Sequence, residues 1–283
     1  MSNSTPFLIE DKVIEREQDP SRFALELEPS GRMVTVVVDG ITVAKSINVH
    51  LLHESKHMPV YYFPQEDVRM DLLTPSGRTK TFDSRGPVHY LNLDTGKRTI
   101  TDAAWIHDAP PSAASGLQGL VGFYWAKMDH WFEEDDEVYK HPRDPYHRVD
   151  VLNSSRHVEV QVLGEVVAES MRPRLLFETS LPTRYYIPWA DVRQELFVPS
   201  STRSICPYKG EAEYYSIQIG DQLVKDIAWV YRRPVPECPK IENLVCFYDE
   251  QVDAIIVDGQ TQARPQTAWS KAPTIRTVTA TES

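Results

Sequence analysis

The segment CPYKG, Cys206 to Gly210, places a thiol, a phenol and an ammonium on one tight turn. Pro207 and Gly210 are turn-formers, so Cys206 is expected to end a strand, with Tyr208 and Lys209 riding on the turn. In an apolar cleft Lys209 would serve as a base, a Schiff-base former or an anion anchor. Glu178, in LLFETSLPTRYY, leads into a strand with two tyrosines and suits a general acid or base opposite Lys209. On that strand Arg184 and Tyr186 should share one face, and Tyr185 and Ile187 the other. Arg184, Lys209 and Glu178 are together expected to clamp a carboxylate- or phosphate-bearing small molecule. Tyr186, Tyr214 and Trp229 would surround it, although aromatic residues on strands most often build core.

These residues sit in the second of two copies of one unit. VTVVVDGITVAKS (34–46) aligns with VEVQVLGEVVAES (158–170), with Gly40 against Gly164, an offset of 124 residues. The alignment runs without a gap to Asp129 against Asp253, and about a third of the positions are identical. In the first copy the CPYKG turn is matched by Asp83, Ser84, Arg85 and Gly86. The turn therefore survives without Cys, Tyr or Lys, and folding of the unit does not demand them. Arg85 keeps the positive charge but cannot act as a base. The second copy is the expected site. His147 and Arg148, in the connecting stretch KHPRDPYHRVDVLNSSR, are candidates to line a cleft between the copies.

The first copy has its own features. Trp125, His130 and Trp131 stand where the second copy has Asp249, Ala254 and Ile255. The segment FYWAKMDHWFEEDDE is read as a lid or interface, with a helical turn or two and with EEDDE as a solvated face.

Each copy opens with alternating valines, the period-two pattern of a half-buried strand, followed by a turn and a second apolar segment. Short apolar runs punctuated by Gly and Pro follow, and the fold class expected is all-β in two tandem domains. The expected boundaries are an N-terminal arm (1–32), the first repeat (33–140), a linker (141–156), the second repeat (157–262) and a disordered tail (263–283).

The net charge of −11 disfavours a broad nucleic-acid surface. Three cysteines without a CxxC pair provide no disulfide framework, and no apolar run reaches membrane-span length. With no secretory pattern at the N-terminus, a cytoplasmic protein is expected. P-loop, dinucleotide, nucleophile-elbow and HExxH motifs are missing, and no cofactor or metal is expected.

The second copy resembles the family catalogued as domain of unknown function 427. The matching motifs are Tyr185, Tyr186 and Pro188; Pro199 and Ser200; the Cys206–Gly210 box; Ala212, Tyr214 and Tyr215; Asp226, Ala228 and Trp229; and Val245, Phe247 and Tyr248. The resemblance spans roughly residues 30 to 260. It implies a β-tent fold, two small antiparallel sheets pinned at one edge. Some β-tents hold zinc with two cysteine pairs, which this sequence lacks. The family has no settled activity, and its nucleotidyltransferase-like label is remote analogy.

The first expectation for function is a cofactor-independent enzyme acting on a small polar or anionic molecule. It would be of isomerase, lyase or cyclase type, with Lys209, Glu178, Tyr208 and Cys206 as catalytic groups. The alternatives are a non-catalytic small-ligand or sensor module and a scaffold. The sequence leaves the oligomeric state open.

Overall fold

Val34, Val36 and Val38 are fully buried while Thr35 and Val37 between them are half-buried, and Val158, Val160 and Val162 repeat the pattern. That alternation makes each a central strand of a small sheet with one apolar face. The structure, a computed structural model, describes residues 25–55 and 57–278. It is almost wholly β, and it divides into two units, Met1–Tyr146 and His147–Ser283.

In the second unit a large antiparallel sheet runs, in spatial order, Val149–Asn153, Arg174–Glu178, Arg184–Pro188, Leu244–Phe247, Gln222–Pro234, Gly210–Ile219 and Phe197–Cys206. The small sheet runs Glu165–Ser170, Val158–Val162, Ala254–Val257 and Gln260–Thr261. Between them lies the main core, where Tyr185, Ile187, Ala228, Val230, Val245 and Phe247 meet the valines of the small sheet. The opposite face of the large sheet carries a second cluster of Leu176, Tyr186, Trp229, Tyr231, Cys238, Ile241 and Cys246. Arg184 and Tyr186 thus do share one face, and Tyr185 and Ile187 the other.

The first unit repeats this plan. Its large sheet runs Leu25–Pro29, His50–Glu54, Val60–Pro64, Leu120–Phe123, Thr99–Ile106, Gly86–Asp94 and Leu73–Phe82. Its small sheet runs Asp136–Glu137, His130–Glu133, Val34–Val38 and Ile41–Ser46. Even the irregularities recur at the same offset. The register shifts between Val36 and Val37 as between Val160 and Gln161, and between Pro75 and Thr79 as between Pro199 and Arg203. A proline cannot donate to a ladder, so a shift beginning at Pro75 and Pro199 follows from residue chemistry.

Several boundaries differ from expectation. Leu25–Pro29, placed in the arm, is an edge strand paired with His50–Glu54. Val149–Asn153, placed in the linker, pairs with Arg174–Glu178. The expected disordered tail is ordered as far as Val278. Ile275–Thr277 adds to Gln222–Val224, Thr267 Oγ1 donates to Glu250 at 2.6 Å, and Gln251 Nε2 donates to the Trp269 carbonyl at 3.3 Å. Residues 1–24 of the arm and 279–283 of the tail lie outside the described residues.

The segment read as a lid belongs to the first unit's own core instead. Trp131 is buried in that core and stacks on Trp125 at 4.3 Å. Only Trp125–Lys127 is helical, as one 3-10 turn, and His130–Glu133 is a strand. Its alternation turns Trp131 and Glu133 inward, so Glu133 is buried rather than solvated. It accepts from Tyr61 at 2.7 Å and pairs with Arg32.

Candidate functional site

Cys206 pairs with Gly210 across a three-residue turn, and the Lys209 amide closes it on the Cys206 carbonyl at 3.3 Å. Gly210 is in the positive-φ region (φ 103), and a Cβ there would lie 3.1 Å from the Arg233 carbonyl oxygen. Glycine is therefore required both by conformation and by space. The Val235 amide then bonds the Lys209 carbonyl at 3.1 Å, fixing the turn from the adjacent strand.

From this turn Lys209 forms an ion pair with Glu178, whose side chain is 5% exposed. The other carboxylate oxygen of Glu178 lies 3.0 Å from His147 Nε2. The edge strand Val149–Asn153 brings His147 here, because Val149 is registered opposite Glu178. The imidazole stacks on the Tyr208 ring with centroids 4.2 Å apart. Burial pushes the Glu178 carboxyl up. The His147 hydrogen bond and the charge and hydrogen bond of Lys209 outweigh it, so its pKa lies below the ordinary value.

An ionised carboxylate only accepts hydrogen bonds, so the His147 contact is an Nε2–H donated to Glu178. Nδ1, the other ring nitrogen, is then the atom available to take up a proton whenever the ring is neutral. The arrangement is a base oriented by a carboxylate, with the carboxylate's charge balanced by an ammonium.

Two residues join the site that sequence reading left out of it. Burial pushes the Cys238 thiol up to about 11; nearby Lys209 opposes this, while Glu178 and Cys206 add to it. Tyr231 is buried and likewise raised, first by burial and then by Cys206, Tyr214 and Glu178. Both groups stay protonated and belong to the buried cluster that also holds Leu176 and Ile241. The place of Cys238 near Lys209 depends on the loop after Pro234, where the Cys238 amide donates to the Val235 carbonyl at 2.9 Å.

Several expected partners are elsewhere. Arg184 does not reach the Lys209–Glu178 pair; it forms a bidentate pair with Glu250 at 2.6 and 2.8 Å and lies 3.5 Å from Asp249. The expected three-residue anion clamp is not assembled, because this guanidinium is buried and its charge is already matched. Tyr186 is fully buried and accepts from the Trp229 indole at 3.4 Å, so it is core. Tyr214 bonds Ser204 at 2.9 Å and Tyr248 at 3.3 Å. Arg148 is exposed and pairs with Asp150 at 2.8 Å. Cys206 is half-buried and has no disulfide partner.

The first unit provides an internal control. Arg85 pairs with Glu54 at 3.2 Å, and the Ser84 hydroxyl donates to Glu54 at 2.8 Å. Both carboxylates thus have their cation, but Ser84 replaces the Tyr208 ring. At the same offset His147 is matched by Phe23, a residue outside the described region. In the first unit the exposed His57 comes only to 3.8 Å from Glu54, so among the described residues an imidazole within hydrogen-bond distance of this carboxylate is found in the second unit. The first unit also has a buried His107, 3.1 Å from the Tyr62 hydroxyl and lowered to about 4, first by burial and then by Arg85. Among the described residues no cluster of three or more His, Cys, Asp or Glu side chains is placed to hold a metal, and no helix is long and apolar enough to cross a membrane.

Fold and site together define a two-unit all-β protein built by tandem duplication. The chain matches the family described as Domain of unknown function (DUF427) twice, over residues 26–134 and 150–258. It belongs to that family. No curated protein matches it.

Proposed function

We propose that the second repeat is an acid–base enzyme acting on a small polar or anionic organic molecule without an organic cofactor. The observation that carries this reading is the double use of Glu178, bonded to His147 on one oxygen and paired with Lys209 on the other. His147 Nδ1 takes a proton from the substrate and returns it at a second position, chemistry of the isomerase, lyase or cyclase type. Glu178 holds the tautomer, Lys209 holds Glu178 ionised, and Tyr208 fixes the plane of the ring. Lys209 acts here by charge rather than as an amine nucleophile, because Arg85 fills the same role in the first repeat. The paired small and large sheets support a β-tent reading of each unit, and a cytoplasmic setting suits the free thiols.

The test is solvent exchange. In deuterated water, a panel of small polar molecules should include one that gains deuterium on carbon only when the protein is present. Incorporation should vanish in His147→Asn and persist in Lys209→Arg. Incorporation indifferent to His147→Asn would overturn the reading.

A second reading is a small-ligand-binding module. It is favoured by the Trp229, Tyr248 and Tyr214 group, which recurs as Trp105, Tyr124 and Tyr90 in the first repeat.

A further inference from the structure

The two repeats differ most sharply on the inner side of the small sheet. In the first, Trp131 is registered opposite Val36, stacks on Trp125 with an interplanar angle of 4° and lies 6.3 Å from Tyr61. In the second, Ile255 is registered opposite Val160, the matching position, and Asp249 replaces Trp125. Two indoles have become a short aliphatic chain and a carboxylate. The second unit has a cavity of about 210 Å³ there, lined by Tyr185, Asp249, Asp253, Ile255, Arg264 and Pro265 among others. Two of its lining positions, Asp249 and Ile255, are those at which the first repeat carries the stacked Trp125 and Trp131.

The charges around the cavity do not cancel. Arg184 is matched by Glu250, which also accepts from Thr267. Asp253 accepts from the Gly164 amide at 2.7 Å, and Arg264 donates to the Val252 and Asp253 carbonyls at 2.7 and 3.3 Å. Asp253 and Arg264 offset each other in charge, while Asp249, with a side chain 9% exposed, shares the Arg184 guanidinium at 3.5 Å with the bidentate Glu250, so two carboxylates face one cation and one negative charge is in surplus. Burying two carboxylates on one shared guanidinium is costly. The lining is mixed, with Thr183, Gln262 and Arg264 beside Tyr185, Ile255 and Pro265, and this part-apolar wall next to one surplus negative charge favours a small monocation with a short apolar body. The volume lies below the roughly 300–1,000 Å³ of drug-sized pockets, so the occupant is small.

We propose that this cavity is a binding site for a small organic amine, its ammonium on Asp249 and its alkyl part against Tyr185, Ile255 and Pro265. The site is independent of His147 and Glu178. In the first repeat the stacked tryptophans close it.

The probe is n-butylammonium chloride, with n-butanol as the neutral control, titrated into the full chain and followed by amide NMR. The amine should give saturable shifts at Ala254 and Ile255 and bind at least about tenfold more tightly than the alcohol. Asp249→Asn should remove that preference. Ile255→Trp, which copies the first repeat, should abolish binding and serves if the Asp249 variant fails to fold. Absence of saturable shifts with the amine, equal binding of the alcohol, or binding undiminished in either folded variant would overturn the proposal.

Discussion

Lys209 closes an ion pair on Glu178, 31 residues earlier in the chain, and both side chains are almost shut off from solvent. The pair belongs to the architecture of the repeat, because Arg85 and Glu54 form its counterpart. What the second unit adds is His147 on the other carboxylate oxygen and Tyr208 against the ring.

A charge-only role for Lys209 sets its substitutions apart. Lys209→Arg should change stability by less than about 1 kcal/mol, whereas Lys209→Ala strands a buried carboxylate and should cost about 3 kcal/mol. Thermal and urea unfolding of the two variants checks this.

The same pair has an acid limb. The Glu178 carboxyl is held below its ordinary value of 4.5 in the folded state, so its contribution is present above that pH. It should be lost as pH falls through the lower, folded value, since protons then bind the unfolded chain first. Glu178→Gln should flatten that part of the pH–stability curve measured by urea unfolding.

Asp249 has the opposite sign. Burial, opposed by Arg184 and reinforced by Glu250, pushes its carboxyl up to about 7. Stability should therefore decline as pH rises from the ordinary value of 3.8 towards 7. Asp249→Asn should stabilise the protein above that window, by on the order of 3 kcal/mol, and have little effect below it. Melting temperatures of both proteins across the window decide the matter.

The C-terminal segment is tied to a buried ion pair, and its removal should be felt. Truncation after Gln262 deletes the Thr267 bond to Glu250, the Trp269 ring 5.8 Å from the Arg184 guanidinium, and the strand Ile275–Thr277. It should cost on the order of 2 kcal/mol, read as a lower melting temperature.

Much of the fold could be read from the chain because its evidence is local. The valine alternation at Val34–Val38 and Val158–Val162 specifies a face, and an ungapped repeat fixes two units. The ion pair of Glu178 with Lys209 lies close to what the chain suggests, because the turn at Cys206–Gly210 and the strand before Arg184 are both local features. Arg184 was misplaced because its partner Glu250 is 66 residues away and carries no periodic mark. His147 is a cleft candidate by its place in the connecting stretch, with nothing local to tie it to Glu178. Only the pairing of Val149 with Glu178 brings it to the carboxylate. The tail looked disordered by composition, yet Thr267 and Trp269 act through specific contacts that composition does not report. The exchange of Trp125 for Asp249 was visible in the alignment, but the cavity it leaves was not.

Orientation of His147 by Glu178 is tested most directly by nitrogen NMR of the His147 ring. At mildly alkaline pH the neutral imidazole should carry its proton on Nε2, with Nδ1 bare, and Glu178→Gln should erase that preference. A ring protonated on Nδ1, or a tautomer unchanged by Glu178→Gln, would contradict the account.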